Sequence, residues 1–136
     1  DEEDWLGEDG KPGLVDLLTC WGSGRININT ASETVLQCIP DLDESAITTI
    51  LAFRAGMDGE LGTDDDEAFY NMEDLAVRGR ITGDSAEAIK RYCTFSSTCY
   101  TITGIATLRR GKVRACCRAV VSGANVIQWR EGPFDS

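Results

Sequence analysis

The hydrophobic pattern of the chain is clearest between residues 24 and 54, where a short alternating segment precedes two segments with helical spacing. Residues 25–29 alternate polar side chains with isoleucine, which is the period of a half-buried strand. Thr30 and Glu33 have the spacing of a capping box, so the sequence predicts a helix that Thr30 caps and Pro40 ends. We therefore expect a strand that leads directly into a helix.

Three further helices are predicted by the same reasoning. The first begins at Asp43 and stops before Gly56, and its apolar side chains face those of the preceding helix. Asn71 caps the next helix, and a glycine-containing turn leads into the last, which ends near Cys93. The apolar positions between the first two helices are Val35, Leu36, Ile39, Ala46, Ile47, Ile50 and Leu51. Residues 30–93 are expected to form a compact unit of four short helices in two hairpins.

From Phe95 the hydrophobic period changes from helical to alternating. Three strands are predicted, Tyr100–Leu108, Lys112–Ser122 and Asn125–Arg130, with a turn at Arg109–Gly111 between the first two. Together they form an antiparallel meander. One face carries small apolar side chains, at Ile102, Gly104, Ala106, Leu108, Val113, Ala115, Cys117, Ala119 and Val121. Such a face must be covered, either by the helical unit or by a long N-terminal helix that is missing from this sequence.

These elements predict an α+β fold with an antiparallel sheet of three to four strands. The strand at 24–29 is expected to join the meander or lie beside it, because both ends of the helical segment return to strands. The helical segment at 30–93 is then an insertion, and the meander occupies 94–133. An irregular segment with a short helix is predicted over 1–23, and a tail over 134–136.

Composition limits the kinds of partner. A chain of 136 residues with 42% hydrophobic content suits one domain, or a domain with a small insertion. Thirteen basic and 23 acidic residues give a net charge of −10, which repels phosphate backbones and anionic lipid, so no nucleic-acid partner is expected. No run is long enough to span a bilayer, and the first residues, DEEDW, lack the features of a signal peptide.

The cysteines leave two interpretations open. The count is even, which is compatible with disulfides in an oxidising compartment, but buried free cysteines fit equally well. Cys116 and Cys117 are adjacent in a predicted strand, so their side chains should point to opposite faces and not bond each other. The six residues are Cys20, Cys38, Cys93, Cys99, Cys116 and Cys117, without a C-x-x-C pair. A thiolate metal site is therefore not expected.

The sequence offers little for catalysis. It contains no histidine, no G-x-S-x-G element and no glycine-rich phosphate loop after a strand. Asp16 and Asp41 are interpreted as capping or turn residues, and Arg54 and Arg130 as surface ion partners. We predict that the protein is not an enzyme and has no small-molecule substrate.

The order of these segments resembles the general secretion pathway protein K family, the minor pseudopilins of bacterial type II secretion. The resemblance covers the chain from Gly13 to about Trp129, and the I-N-I-N-T-A element is its most specific part. The matching positions are Gly13–Thr19 (GLVDLLT), Ile26–Ala31, Val35, Leu36, a helical segment ending at Arg54, then Phe95, Ser97, Tyr100 and the terminal meander.

The resemblance implies a pilin-like α+β domain with an inserted helical subdomain of the SAM-like or helix-hairpin-helix-like type. It also implies assembly with other minor pseudopilins at the tip of the pseudopilus. The full-length protein would be periplasmic and tethered to the bacterial inner membrane by an N-terminal hydrophobic helix, which this sequence lacks and which would cover the small-residue face. That helix would be its only contact with a membrane.

The loop after the second helix carries the candidate metal ligands. Its spacing differs from an EF-hand, and clustered acids are usually solvated, so the spacing alone argues against a metal. The resemblance implies calcium, which is described in the helical domain of the family, although no motif here maps onto those sites. We predict weak calcium binding with Asp64 and Asp66 as ligands, because residues two apart in an extended loop can point the same way. The acidic residues are Asp58, Glu60, Asp64, Asp65, Asp66 and Glu67.

A second resemblance leads to an alternative function. I-N-I-N-T-A-S followed by two helices also begins the helix-hairpin-helix domains of competence-type DNA-binding proteins. Those hairpins bind a phosphate with the backbone N–H groups of a Gly-x-Gly turn, whereas the turn here reads Pro40-Asp41-Leu42-Asp43. Two carboxylates stand where phosphate would bind, so the charge of the site is reversed and DNA binding is the weaker interpretation.

Overall fold

A computed structural model describes Trp5 and residues 7–8, 11–108 and 113–132. The fold is α+β, with a three-stranded antiparallel sheet and several short helices, as the sequence predicts. The elements are β1 (Gly7–Glu8), β2 (Lys11–Pro12), α1 (Leu14–Leu17), β3 (Ile26–Asn27), α2 (Glu33–Gln37), α3 (Glu44–Arg54), α4 (Met72–Val77), α5 (Gly83–Tyr92), β4 (Cys93–Thr94), β5 (Cys99–Leu108), β6 (Val113–Ser122) and β7 (Asn125–Glu131).

The chain divides into two compact units. The helical unit comprises Asp1–Cys20 and Gly24–Ser96, and the meander unit comprises Trp21–Ser23 and Ser97–Ser136. Within the described residues, β1 pairs with β2 in an antiparallel hairpin, and no helix is long and apolar enough to cross a membrane. The predictions for residues 134–136 and for most of the first ten residues lie outside the described part of the chain.

The helical unit is built from the two predicted hairpins, α2–α3 and α4–α5. Each hairpin buries one apolar stripe, and the stripes share a single core. Phe53 and Phe69 stack with ring centroids 4.0 Å apart, and the Arg78 guanidinium lies 4.6 Å above the centre of the Phe53 ring. The core residues are Ile28, Leu36, Ile39, Ala46, Ile47, Ile50, Phe69, Leu75, Ile81, Ala88, Ile89 and Cys93. The predicted contact between the first two helices is confirmed.

The predicted cap of α2 is wrong. The cap is Ser32, whose hydroxyl accepts the Val35 N–H, instead of Thr30. The Thr30 N–H, which the capping box assigns to Glu33, donates instead to the Asn27 carbonyl, as does the Ala31 N–H, so the chain turns there before the helix begins. The predicted cap at Asn71 is confirmed, since its side chain accepts the Asp74 N–H. Asp43, where the sequence predicted that a helix begins, is the cap of α3 and accepts the Ala46 N–H.

The strand before the first helix does not join the meander, which corrects that part of the prediction. It is only two residues long, and it pairs in parallel with β4, Ile26 beside Cys93 and Asn27 beside Thr94. The Ile28 N–H also donates to the Thr94 carbonyl at 3.0 Å. The chain turns at Asn27, so β3 ends after two residues and does not extend into a longer strand. The two ends of the four-helix segment are thus held side by side.

The meander unit confirms the predicted strands and their order, β5-β6-β7. The register places Ile102 opposite Ala119 and Gly104 opposite Cys117, so the predicted small-residue face lies on one side of the sheet. Between β6 and β7 the register shifts at Val120/Val121. The predicted turn at Arg109–Gly111, together with Lys112, lies outside the described residues.

Candidate functional site

The I-N-I-N-T-A element acts as a structural junction. The Asn29 amide nitrogen donates to the Phe69 carbonyl at 2.8 Å and to the Phe95 carbonyl at 2.9 Å, and its oxygen accepts the Phe69 N–H at 2.9 Å. One half-buried side chain therefore joins the start of the helical segment to its middle and to the chain after β4. The Asn27 side chain accepts the Asn29 N–H and fixes the turn between them. Sequence reasoning found the element and missed this role, because the partners of Asn29 are 40 and 66 residues away. Only the bond between Asn27 and Asn29 reflects the local bonding tendency of asparagine.

The helix terminus that a DNA phosphate would need is already occupied. One carboxylate oxygen of Asp43 accepts the Ala46 N–H at 2.8 Å and the Ser45 hydroxyl, and the other accepts the Ser85 hydroxyl from α5. The Asp43 N–H in turn donates to the Ser85 oxygen at 3.2 Å. The Ser85 hydroxyl, together with the Ala46 N–H, lowers the pKa of Asp43 to about 2. Asp43 thus connects the two hairpins and places a permanent negative charge at this terminus.

Arg54 is buried, which corrects its interpretation as a surface ion partner. Only 7% of it is exposed, and its guanidinium donates to the Ala31 carbonyl at 2.6 Å while its own carbonyl accepts the Glu67 N–H. Burial lowers the pKa of Arg54, and the negative charge of Asp66 acts in the opposite direction. The residue fastens the end of α3 to the start of the helical segment. Arg130, by contrast, is exposed.

The acidic loop, residues 55–67, is shaped by its own carboxylates. Asp65 accepts the N–H groups of Met57 and Asp58 and the hydroxyl of Thr63, and the Thr63 contact is the larger cause of the lowered pKa of Asp65. Gly56 has a φ of 61°, and a Cβ there would lie 2.4 Å from the Asp65 carbonyl oxygen, so only glycine allows this approach. The charge of Asp65 is used to close the loop.

The two predicted calcium ligands differ in their surroundings. Both side chains are exposed, and Asp66 in addition accepts the Gly62 N–H at 2.7 Å. In the part of the chain that the structure describes, no group of three or more histidine, cysteine, aspartate or glutamate side chains converges to hold a metal. Calcium binding by Asp64 and Asp66 stays a prediction, and it would need additional ligands from backbone carbonyls or water.

The meander unit carries an exposed apolar surface. The face predicted from the sequence continues onto β7, where Val126 lies opposite Val121 and Trp129 opposite Ala119, and a charged residue, Glu131, lies opposite Cys117. We call this surface the apolar face. The exposed large side chains on it are Tyr100, Ile102, Leu108, Val126 and Trp129. A surface of this kind on a protein is typical of a contact with another protein segment.

Small side chains lie along the middle of the apolar face. The central strand β6 contributes Ala115, Cys117 and Ala119 there and reaches a larger side chain at Val121, whereas β5 and β7 flank this row with Ile102 and Trp129. A Cβ added at Gly104 would lie 3.0 Å from the Cys117 sulfur, so the glycine leaves room for that side chain. Outer strands two positions apart are separated by about 10 Å, which matches the diameter of an α-helix. A sheet surface with this row of small side chains is suited to a rod-like apolar segment.

The opposite face of the meander is more polar. It carries Thr101, Thr103 and Thr107 on β5, and on β6 the guanidinium groups of Arg114 and Arg118 beside Cys116 and the buried Val120. Ile105 is its exposed isoleucine, with 55% of its surface accessible, against 54% for Ile102 on the apolar face. Ile102 and Ile105 are therefore isoleucines of nearly equal exposure on opposite faces of the same strand.

The cysteines are free thiols, and an open groove lies along α5. None of the six cysteines, all of which lie among the described residues, is disulfide-bonded, and Cys116 and Cys117 point to opposite faces as predicted. Burial raises the pKa of Cys93 to about 11, so its thiol stays protonated. An open groove along α5 is lined by charges of both signs, including Asp84, Glu87, Lys90 and Arg91.

Comparison of the chain with protein-family models, with curated proteins and with solved structures gives no match.

Proposed function

We propose that this chain is the folded part of a minor pseudopilin of type II secretion, of the general secretion pathway protein K type. It assembles with other minor pseudopilins at the tip of the pseudopilus and carries out no chemistry. In the full-length protein, an N-terminal hydrophobic helix tethers it to the inner membrane, and this domain lies in the periplasm. The observation that carries the proposal is the exposed apolar face of the meander.

The apolar face supports a protein partner in preference to a small molecule. It is an open sheet surface with large side chains at both margins and small ones in the middle, so it can accept an extended apolar helix. A small-molecule site would be concave and would enclose most of its ligand. Burial of a sheet face against a helix of the same or a neighbouring subunit is the arrangement that a pilin-like assembly uses.

The junction at Asn29 and β3–β4 supports the pilin-like architecture with an inserted subdomain. An insertion is tolerated where its two ends leave and return at adjacent positions of the host domain. Here Ile26 lies beside Cys93, and Asn29 bonds to the Phe95 carbonyl. The four helices between these points then form the SAM-like or helix-hairpin-helix-like subdomain.

The test is an affinity pull-down with the minor pseudopilins encoded in the same genome. We expect the full-length protein to retain at least one of them, and we expect secretion to fail when its gene is deleted and to recover on complementation. Failure to bind any of them, together with normal secretion in the deletion strain, would refute the proposal.

Competence-type DNA binding is the alternative function. The hydrogen bonds that the Asp43 carboxylate accepts argue against it. In a phosphate-binding hairpin the N–H groups at the start of the second helix are open to the ligand. In this chain the Asp43 carboxylate accepts the Ala46 N–H and the Ser85 hydroxyl at that terminus. A titration with duplex DNA at low salt tests the alternative directly, and saturable binding that weakens as salt rises would favour it over the pseudopilin.

A further inference from the structure

The outer side of β5 has the properties of a strand that accepts another strand. β5 is ten residues long, lies at the edge of the three-stranded sheet, and contains no charged residue and no proline. Among the described residues no strand pairs with its outer side. Edge strands that remain single are normally protected by charges, prolines, bulges or short length. β5 has none of these protections.

The other edge of the same sheet is protected. β7 ends in Arg130 and Glu131, and its pairing with β6 is interrupted by the register shift at Val120/Val121. A charged side chain and an irregular register both oppose addition of a strand there. The contrast within one sheet identifies β5 as the edge that is open to pairing.

We propose that β5 pairs with β5 of a second copy of this chain, antiparallel, to give a continuous six-stranded sheet. A twofold axis perpendicular to the sheet relates the two copies, so the apolar faces lie on the same side and form one surface. Because each copy has a single open edge, the pairing closes at two subunits. The inference rests on β5 alone and does not depend on the proposed function.

The sequence of β5 is complementary to itself. With Thr103 on the twofold axis, Ile102 lies opposite Gly104 of the second copy, and Tyr100 lies opposite Ala106 on the same face. On the other face Thr101 lies opposite Ile105. Each large side chain thus meets a smaller one, and the pairs combine aromatic or β-branched residues with small ones.

The exposed side chains on β5 supply the apolar area that would be buried. Ile102 and Ile105 project from opposite faces, and each is more than half exposed. A strand added beside β5 covers part of both, in addition to the backbone groups of the edge. Since β5 carries no charge, the net charge of −10 on each chain does not oppose the contact locally, and salt screens it at longer range.

Sedimentation velocity over a range of protein concentrations, in reducing buffer, tests the inference. Reducing conditions are needed because six free cysteines could otherwise join two chains. We expect a monomer–dimer equilibrium that is dimeric by about 1 mM protein, the weak end of specific association. A monomer at every concentration, or assembly beyond the dimer, would overturn the inference.

The variant Thr103→Lys and its control Thr48→Lys locate the interface. Thr103→Lys places two ammonium groups together on the twofold axis and should weaken the dimer by about tenfold or more. Thr48 is exposed on α3, and its hydroxyl donates to the Glu44 carbonyl of the same helix, so the same substitution there should leave the dimer unchanged. A dimer that persists in Thr103→Lys contradicts pairing through β5.

Hydrogen exchange on the unmodified chain provides a measurement that does not depend on a variant. On dimer formation, alternate amides along β5 should gain protection, because only those that point outward acquire a new partner. The amides at the outer side of β7 should exchange equally in monomer and dimer. Equal exchange along β5 in a dimeric sample would overturn the inference.

Discussion

Single polar side chains determine how the helical unit is held together. Asn29 joins three separated parts of the backbone, and Asp43 connects the start of α3 to α5 through Ser85. Neither residue is in the apolar core. The apolar pattern decides which helix faces are buried, whereas these polar contacts decide how the helices and the neighbouring chain are arranged.

Replacement of Asn29 by alanine should destabilise the helical unit by about 3 kcal/mol, because three hydrogen bonds of roughly 1 kcal/mol each are lost. Asn29→Asp should be at least as harmful, since a carboxylate would face the carbonyl oxygens of Phe69 and Phe95. Urea denaturation measures both changes. Asn125→Ala, at the exposed start of β7, is the control and should stay within about 0.5 kcal/mol. If Asn29→Ala leaves the free energy of unfolding unchanged, the contacts of Asn29 do not stabilise the helical unit.

The contacts of Asp43 predict a pH dependence of stability. Its pKa is lowered from 3.8 to about 2, so the ionised form is preferred in the folded state and the unfolded state binds the proton more tightly. The stabilisation is therefore complete above the unfolded pKa and is lost as the pH falls through about 2. Asp43→Asn should lower the melting temperature at neutral pH, and the difference from the unmodified chain should shrink as the pH falls below 3.8.

Two further variants separate this effect from a general loss of charge. Ser85→Ala removes the largest cause of the lowered pKa and should reproduce part of the loss at neutral pH. Asp41→Asn makes the same charge change at an exposed neighbour in the turn and should have little effect. A melting-temperature difference for Asp43→Asn that is the same at neutral and at acid pH would contradict the account.

At the scale of elements, the first hairpin depends on a closely packed contact between α2 and α3. Leu36 and Ile50 are both fully buried there. Leu36→Ala or Ile50→Ala should each destabilise by about 2–5 kcal/mol as cavity-forming substitutions. Val77→Ala on α4 removes methyl groups from a side chain that is 71% exposed, so it serves as the control. A loss below about 1 kcal/mol at both buried positions would contradict the packing.

The acidic loop gives the prediction about calcium. If Asp64 and Asp66 bind the ion weakly, millimolar calcium, the weak end of protein sites, should release heat and raise the melting temperature relative to chelator. The double variant Asp64→Asn, Asp66→Asn should abolish both effects. Asp84→Asn with Glu87→Gln, on α5, makes an equal charge change and should leave both intact. No heat and no shift in the unmodified chain would rule the site out.

Pairing between elements was harder to predict than the elements themselves. The alternating pattern placed β5, β6 and β7 correctly, since local period and turn residues specify strands that are consecutive in the chain. The partner of β3 is β4, far along the chain, and no local signal encodes that choice. The cap of α2 was misplaced for a related reason: the Asn27 carbonyl accepts the Thr30 N–H, which the predicted capping box assigned to Glu33.

For the whole molecule, the sequence was informative about fold class and about surfaces, and much less so about single contacts. The α+β class and the apolar face follow from hydrophobic period alone. The burial of Arg54 and the bond between Asp43 and Ser85 depend on how the helices approach each other in three dimensions. Such contacts between distant residues leave no trace in a local pattern.

The central claim is that the apolar face binds another minor pseudopilin. The affinity of the chain for the minor pseudopilins encoded beside it, measured by biolayer interferometry for three forms, tests this most directly. Ile102→Lys changes the apolar face, and Ile105→Lys makes the same substitution on the same strand at equal exposure on the other face. We predict that Ile102→Lys weakens binding by about tenfold or more and that Ile105→Lys leaves it within about twofold. Equal affinities for all three forms, or no binding by any, would contradict the claim.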